Sequence, residues 1–156
     1  MTARDSPLDW TDLRLPLAEL RGEELLAPWT EYVPAGTRVV LVNVFGDLFL
    51  QDPGGRVHWV NTVDGQVSKV ADTGVAFKQA LESRGQLAVW FMPGMVAELH
   101  ERGLRPGTGQ CYRFRKPPFQ GGELSAGNVK LADVYEHQRL TEKAMRKLRK
   151  KGEDQR

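Results

Sequence analysis

Between residues 38 and 70, four short runs of strand-forming residues are separated by turns too short for any crossover. The runs are 38–44, 47–51, 56–61 and 66–70. Gly46-Asp47, Asp52-Pro53-Gly54-Gly55 and Asp64-Gly65 lie between them, and each supplies chain-reversing residues. Parallel strands need a connection of about a dozen residues or more, so this stretch predicts an antiparallel meander. Asp64-Gly65 reads as a two-residue type I′ hairpin turn. Residues 39–44 are almost wholly apolar and are expected to form the central strand.

Helical patterns flank the meander. Leu13, Leu17 and Leu20 recur at roughly helical spacing across 8–21, where Pro16 argues for a break. Across 23–32, Leu25, Leu26, Trp29 and Tyr32 share one helical face, and Pro28 is tolerated only in a first turn. Asp72 is the expected N-cap of a helix over 73–84 with Val75, Phe77, Ala80 and Leu81 facing the core. A helix over 93–102 begins with Pro93 and stops at Gly103, and Trp90-Phe91-Met92 just before it reads as a core plug. Segments 110–115 and 128–131 read as two further strands around a Pro-Pro and Gly-Gly loop that cannot be helical. Residues 134–151 read as a last helix with Val134, Leu140, Ala144 and Leu148 as a weak apolar stripe. The expected fold is α+β, an antiparallel meander of five to six strands flanked by helices. Residues 1–142 read as one domain and 143–156 as a basic helical tail.

The chain has 156 residues, 40% hydrophobic and 27% charged, as expected of one globular domain. No window approaches the ~20 apolar residues of a membrane helix. Residues 1–10 carry Asp5 and Asp9 without an apolar core, and a single cysteine permits no internal disulfide. The expectation is a cytoplasmic protein.

Candidates for chemistry are few. His58, His100 and His137 are far apart in sequence and none stands at ligand spacing from Cys111, so no metal site is expected. Glu98-Leu99-His100 is not a metalloprotease motif, and Arg105-Pro106-Gly107-Thr108-Gly109 lacks the Gly-Lys-Ser/Thr continuation of a phosphate loop. Cys111 invites a nucleophile reading, set against a thiol facing the core from a strand. Asp47 and Asp52 could be paired carboxylates, but turn positions explain them. The tail carries seven basic and two acidic residues from 143 to 156, a net +5 within a chain total of +2, which leaves residues 1–142 at −3. Such a run could bind nucleic acid in a regulatory protein, yet no aromatic residue interleaves with its charges. A solvated helix end is the plainer reading.

Several blocks in one order complete the sequence evidence: Phe45-Gly46-Asp47-Leu48-Phe49, Gly55-Arg56-Val57-His58-Trp59, Lys69-Val70-Ala71-Asp72, Trp90-Phe91-Met92-Pro93, and Gly109-Gln110-Cys111-Tyr112 through Gly121-Gly122-Glu123. Together, over 29–137, they resemble the C-terminal domain of bacterial type VI secretion DNase-immunity proteins, of the SUKH-like immunity group. In that family the domain often follows a GAD-like domain, whose place short N-terminal helices are expected to take here. The resemblance implies an α+β binding protein that neutralises a cognate secreted toxin effector, a nuclease among the candidates, without catalysis, cofactor or metal. The expected partner-binding residues are Asp47, Asp52, Arg56, His58, Gln110, Tyr112 and Lys116.

Overall fold

The computed structural model describes residues 8–154. The expected meander is present as β1 (Arg38–Val42), β2 (Leu48–Gln51), β3 (Val57–Asn61) and β4 (Gln66–Ala71), antiparallel in the order β1-β2-β3-β4. β5 (Gln110–Phe114) and β6 (Val129–Asp133) form a separate two-stranded ribbon, so the six strands are divided between two sheets. The ribbon meets the meander where the Tyr112 N–H donates to the Val44 carbonyl at 2.7 Å.

The apolar run 39–44 lies at the edge of the sheet rather than in its centre. It receives partial cover there, with Val39, Val40 and Leu41 half-buried: α2 packs on it, and residues 13–15 run along its end. There Leu15 N–H donates to Val42 O and Val44 N–H to Leu13 O. β2 is the buried strand, with Leu48, Phe49 and Leu50 all at 0% exposure. Phe49 gathers the rings of Trp59, Phe77, Trp90 and Phe91, with centroids 5.3–6.0 Å away, within the usual range for aromatic pairs. The 61–66 connection is longer than a type I′ turn: Asn61 pairs with Gln66, leaving a four-residue loop. Gly65 closes that loop with a left-handed φ of +68° and an N–H bond to Asn61 O.

At the N-terminal end, Pro16 and Pro28 break the expected helices into short pieces. α1 spans Trp10–Leu13 and α2 spans Gly22–Leu26, and a 3-10 turn over Ala27–Trp29 carries Pro28. α3 (Gly74–Leu81) is capped by the Thr73 hydroxyl, which accepts the Ala76 N–H at 3.0 Å; Asp72, the expected cap, pairs with Lys69 instead. Phe77 is buried as expected, whereas Val75 is 68% exposed. The expected plug Trp90-Phe91-Met92 is the end of a helix, α4 (Arg84–Phe91), which Ser83 caps. Met92 turns left-handed at φ +46° and starts α5 (Pro93–Glu101), with Pro93 in the first turn and Gly103 (φ +78°) beyond its end.

The chain closes with α6 (Val134–Asp154), whose first N–H groups bond to the Asp133 carboxylate at 2.8–2.9 Å. This helix runs unbroken through the 142/143 boundary read from sequence. Its buried face differs from the predicted stripe. Val134, Tyr135, His137, Gln138, Thr141 and Met145 pack inward, while Leu140 and Leu148 are 41% and 47% exposed.

Candidate functional site

The Phe45-Gly46-Asp47 turn is the structural junction between the meander, the ribbon and α6. Gly46 adopts φ +79°, and its missing side chain makes room for the neighbours. A Cβ there would collide with the His137 ring, with Nε2 at 2.8 Å, and would lie 3.0 Å from Cys111 Sγ. The Gly46 carbonyl accepts from Gln138 Nε2 at 2.6 Å, and Gln138 Oε1 accepts from the buried Trp29 Nε1 at 3.0 Å. One glutamine therefore ties the turn to α6 and to the N-terminal region.

Asp47 is 2% exposed and both its oxygens are occupied. Oδ1 accepts from Thr62 N–H at 3.0 Å and the Thr62 hydroxyl at 2.5 Å; Oδ2 accepts from Asn43 Nδ2 at 3.2 Å and Trp59 Nε1 at 3.1 Å. Burial pushes its carboxyl up to about 6, against the pull of these four donors. The Thr62 oxygen lies 3.1 Å from His137 Nε2, and His137 Nδ1 lies 2.9 Å from Arg113 Nη1, which also reaches the Thr141 hydroxyl at 3.0 Å. Because the guanidinium can only donate, Nδ1 accepts and Nε2 carries the proton toward Thr62. Burial, helped by Arg113, holds the His137 imidazole down to about 3, so it is neutral. The result is a directed chain from Arg113 through His137 and Thr62 to Asp47, satisfied internally at every step.

Asp52 is also buried, at 4% exposure, and organises the β2–β3 turn. It accepts from Arg56 N–H at 3.0 Å, Arg56 Nε at 3.1 Å and His58 Nε2 at 2.9 Å. The hydrogen bond from His58, followed by those from Arg56, holds its carboxyl below the usual carboxylate range. Half of the Arg56 side chain stays exposed, at 53%.

The seven expected partner-binding residues do not form one surface. Asp47 and Tyr112 are enclosed; the Tyr112 hydroxyl donates to Leu104 O at 2.6 Å. Asp52 is used up inside its turn. Arg56 and His58 lie at one end of β3 while Asp47 bonds Thr62 just past the other, about 13 Å from His58 along the strand. Gln110 is half-buried, and its Oε1 caps Gly107 N–H at 2.9 Å. Lys116 is exposed on the loop where Gly122 approaches so closely that a Cβ would collide with the Lys116 carbonyl. That loop is the close backbone passage its Pro-Pro and Gly-Gly residues suggest. Its Phe119 ring covers Gly65, fixing the loop to the 61–66 connection.

Sequence reasoning missed Asn43, Thr62, Arg113, Gln138 and Thr141. The available signal was the spacing 137, 138, 141, which puts three polar residues on one face of a helix that has to pack on the body. Cys111 is fully buried and burial pushes its thiol far above the ordinary range, the setting of an inert core cysteine. Among the described residues, no group of three or more His, Cys, Asp or Glu could hold a metal ion, and no helix is long and apolar enough to cross a membrane.

In this α+β domain the motif residues Gly46, Asp47, Cys111 and Tyr112 join the parts of the fold to one another. Residues 71–143, just under half of the chain, match the family model described as "T6SS immunity protein Tdi1, C-terminal". The matched segment is similar to the C-terminal region of type VI secretion immunity proteins. It takes in α3 to α5, the ribbon and the first half of α6; the meander and the end of α6 lie outside it. A solved structure described as the crystal structure of Atu4351 from Agrobacterium tumefaciens aligns at a TM-score of 0.48 with 17% identity, over 78% of this chain and 61% of that one. This chain thus spans about three fifths of that protein's length. No curated protein matches the chain.

Proposed function

We propose that this protein neutralises a cognate type VI secretion effector by binding it, without catalysis. The observation that carries the reading is the family match over 71–143. The buried, protonated Cys111 and the internally satisfied chain His137–Thr62–Asp47 agree with it, since all four residues are enclosed.

Inhibition would come from an interface of ordinary size, roughly 800 Å² per partner, that covers or distorts the effector's active site. Arg56 is the proposed anchor at the β2–β3 turn. The buried Asp52 holds its Nε and leaves the rest of the guanidinium outward, a preorganised arrangement that suits an interface arginine. His58, Gln110 and Lys116 are the other accessible members of the proposed set.

The test is co-expression with the product of each adjacent gene, followed by purification through a tag on this chain. A stable complex that relieves the toxicity of that product is expected. If neither neighbour binds or is toxic, the reading fails. Within a complex, Arg56→Glu is expected to weaken affinity about tenfold or more; an unchanged affinity removes the β2–β3 turn from the interface.

A further inference from the structure

The far half of α6 lies beyond the matched segment, and the packing of the body does not account for its surface. α6 has 21 residues and so a length of about 30 Å. Inward contacts along it include Met145, at 7% exposure, and Arg149, whose Nη2 donates to the Tyr32 hydroxyl at 2.7 Å while its guanidinium covers the Tyr32 ring. Tyr32 in turn donates to Glu142, and Glu142 pairs with Arg146. These contacts use one side of the helix.

The other side carries a different pattern. Leu140, Ala144 and Leu148 recur every four residues and form one continuous ridge, with both leucines more than two-fifths exposed. Lys143 and Lys147 border that ridge and have no carboxylate within ion-pair distance among the described residues. Between the ridge and the 3-10 turn Pro118–Gln120 runs an open groove of about 440 Å³, lined by Gln120, Ala144, Lys147, Leu148, Lys150 and Lys151. Its floor is apolar and its rim is cationic. The turn that forms its far wall belongs to the loop that carries Lys116.

We infer that this groove docks an acidic segment of the neutralised effector, one that presents apolar side chains to Leu148 and Ala144 and carboxylates to the lysines. Charge complementarity selects an acidic occupant. The leucine ridge selects a polypeptide over a nucleic acid, because phosphates gain nothing from exposed leucine, and no aromatic residue lines the groove for base stacking. The inference rests on the immunity reading and adds to it the surface and the chemistry of the contact.

Two variants of the full chain separate the contributions: Lys147→Glu/Lys151→Glu and Leu140→Ser/Leu148→Ser. All four side chains are exposed, so helix content measured by circular dichroism should match that of the parent. Affinity for the purified effector is expected to fall at least about tenfold in each variant, and the parent complex should weaken as salt rises. If the parent forms the complex and both variants bind as tightly, the groove is not the contact while the immunity reading stands. If the parent forms no complex with either adjacent gene product, both fall together. If a 20-base-pair duplex DNA binds in a way that the lysine changes abolish and the leucine changes do not, while effector affinity is unaltered, the occupant is nucleic acid and the inference is overturned.

Discussion

Replacing Gly46 by alanine tests whether the Phe45-Gly46-Asp47 motif serves as an internal joint. Two separate penalties follow from the structure. At φ +79° a Cβ meets backbone strain of about 1–2 kcal/mol. The same Cβ would enter the His137 ring, with Nε2 at 2.8 Å and Cys111 Sγ at 3.0 Å, and overpacking of this kind adds about 1–3 kcal/mol. The total, roughly 2–5 kcal/mol, is a large share of the 5–15 kcal/mol that holds a typical domain folded. With a urea slope of about 2 kcal/mol/M, the unfolding midpoint should fall by roughly 1–2.5 M. His137→Ala removes the ring but leaves the backbone strain. In that background the same glycine change should cost about half as much, a coupling of at least about 1 kcal/mol. A midpoint shift below about 0.3 M, or strict additivity with His137→Ala, would refute the packing argument.

The buried Asp47 and His137 make opposite contributions to the pH dependence of stability. The Asp47 carboxyl, at about 6, lies above its ordinary 3.8, so its stabilisation is present at low pH and is lost as pH rises through about 6. His137, at about 3, lies below its ordinary 6.5, so its stabilisation is complete above 6.5 and is lost as pH falls. Between pH 6 and 4 the two largely offset. Asp47→Asn should therefore lose stability more steeply than the parent as pH falls through that window, and unfolding midpoints that run parallel to the parent's would contradict this. Cys111 should resist an aqueous disulfide reagent in the native protein and react fully in urea. A folded Cys111→Ser variant should still neutralise the effector, and loss of neutralisation would reopen the nucleophile reading.

The α+β class and the meander were legible because short turns leave antiparallel pairing as the only choice, and residues 38–70 contain little else. What periodicity could not show was which strand is central. Apolar content reports cover from any side, and β1 receives its cover from α2 and residues 13–15 while sitting at an edge. α6 misled for the opposite reason. Half of its buried face is made of His137, Gln138 and Thr141, whose polar groups are satisfied by Thr62, Gly46, Trp29 and Arg113 from distant parts of the chain. No local pattern announces such partners, so the exposed leucines looked like the core side. The candidate site suffered similarly. Asp47 and Tyr112 stand in the blocks that carry the family resemblance, and both turn out to hold the fold together. A motif shared for folding is a poor guide to an interface, which depends on exposed residues such as Arg56 and Lys116.

The most direct measurement is a titration of the purified effector's toxic activity with this protein. An inhibitor that acts by binding must quench that activity at a fixed stoichiometric ratio, with the endpoint unchanged by longer incubation and by Cys111→Ser. Complete inactivation by a small fraction of an equivalent, progressing with time, would show turnover and contradict the account.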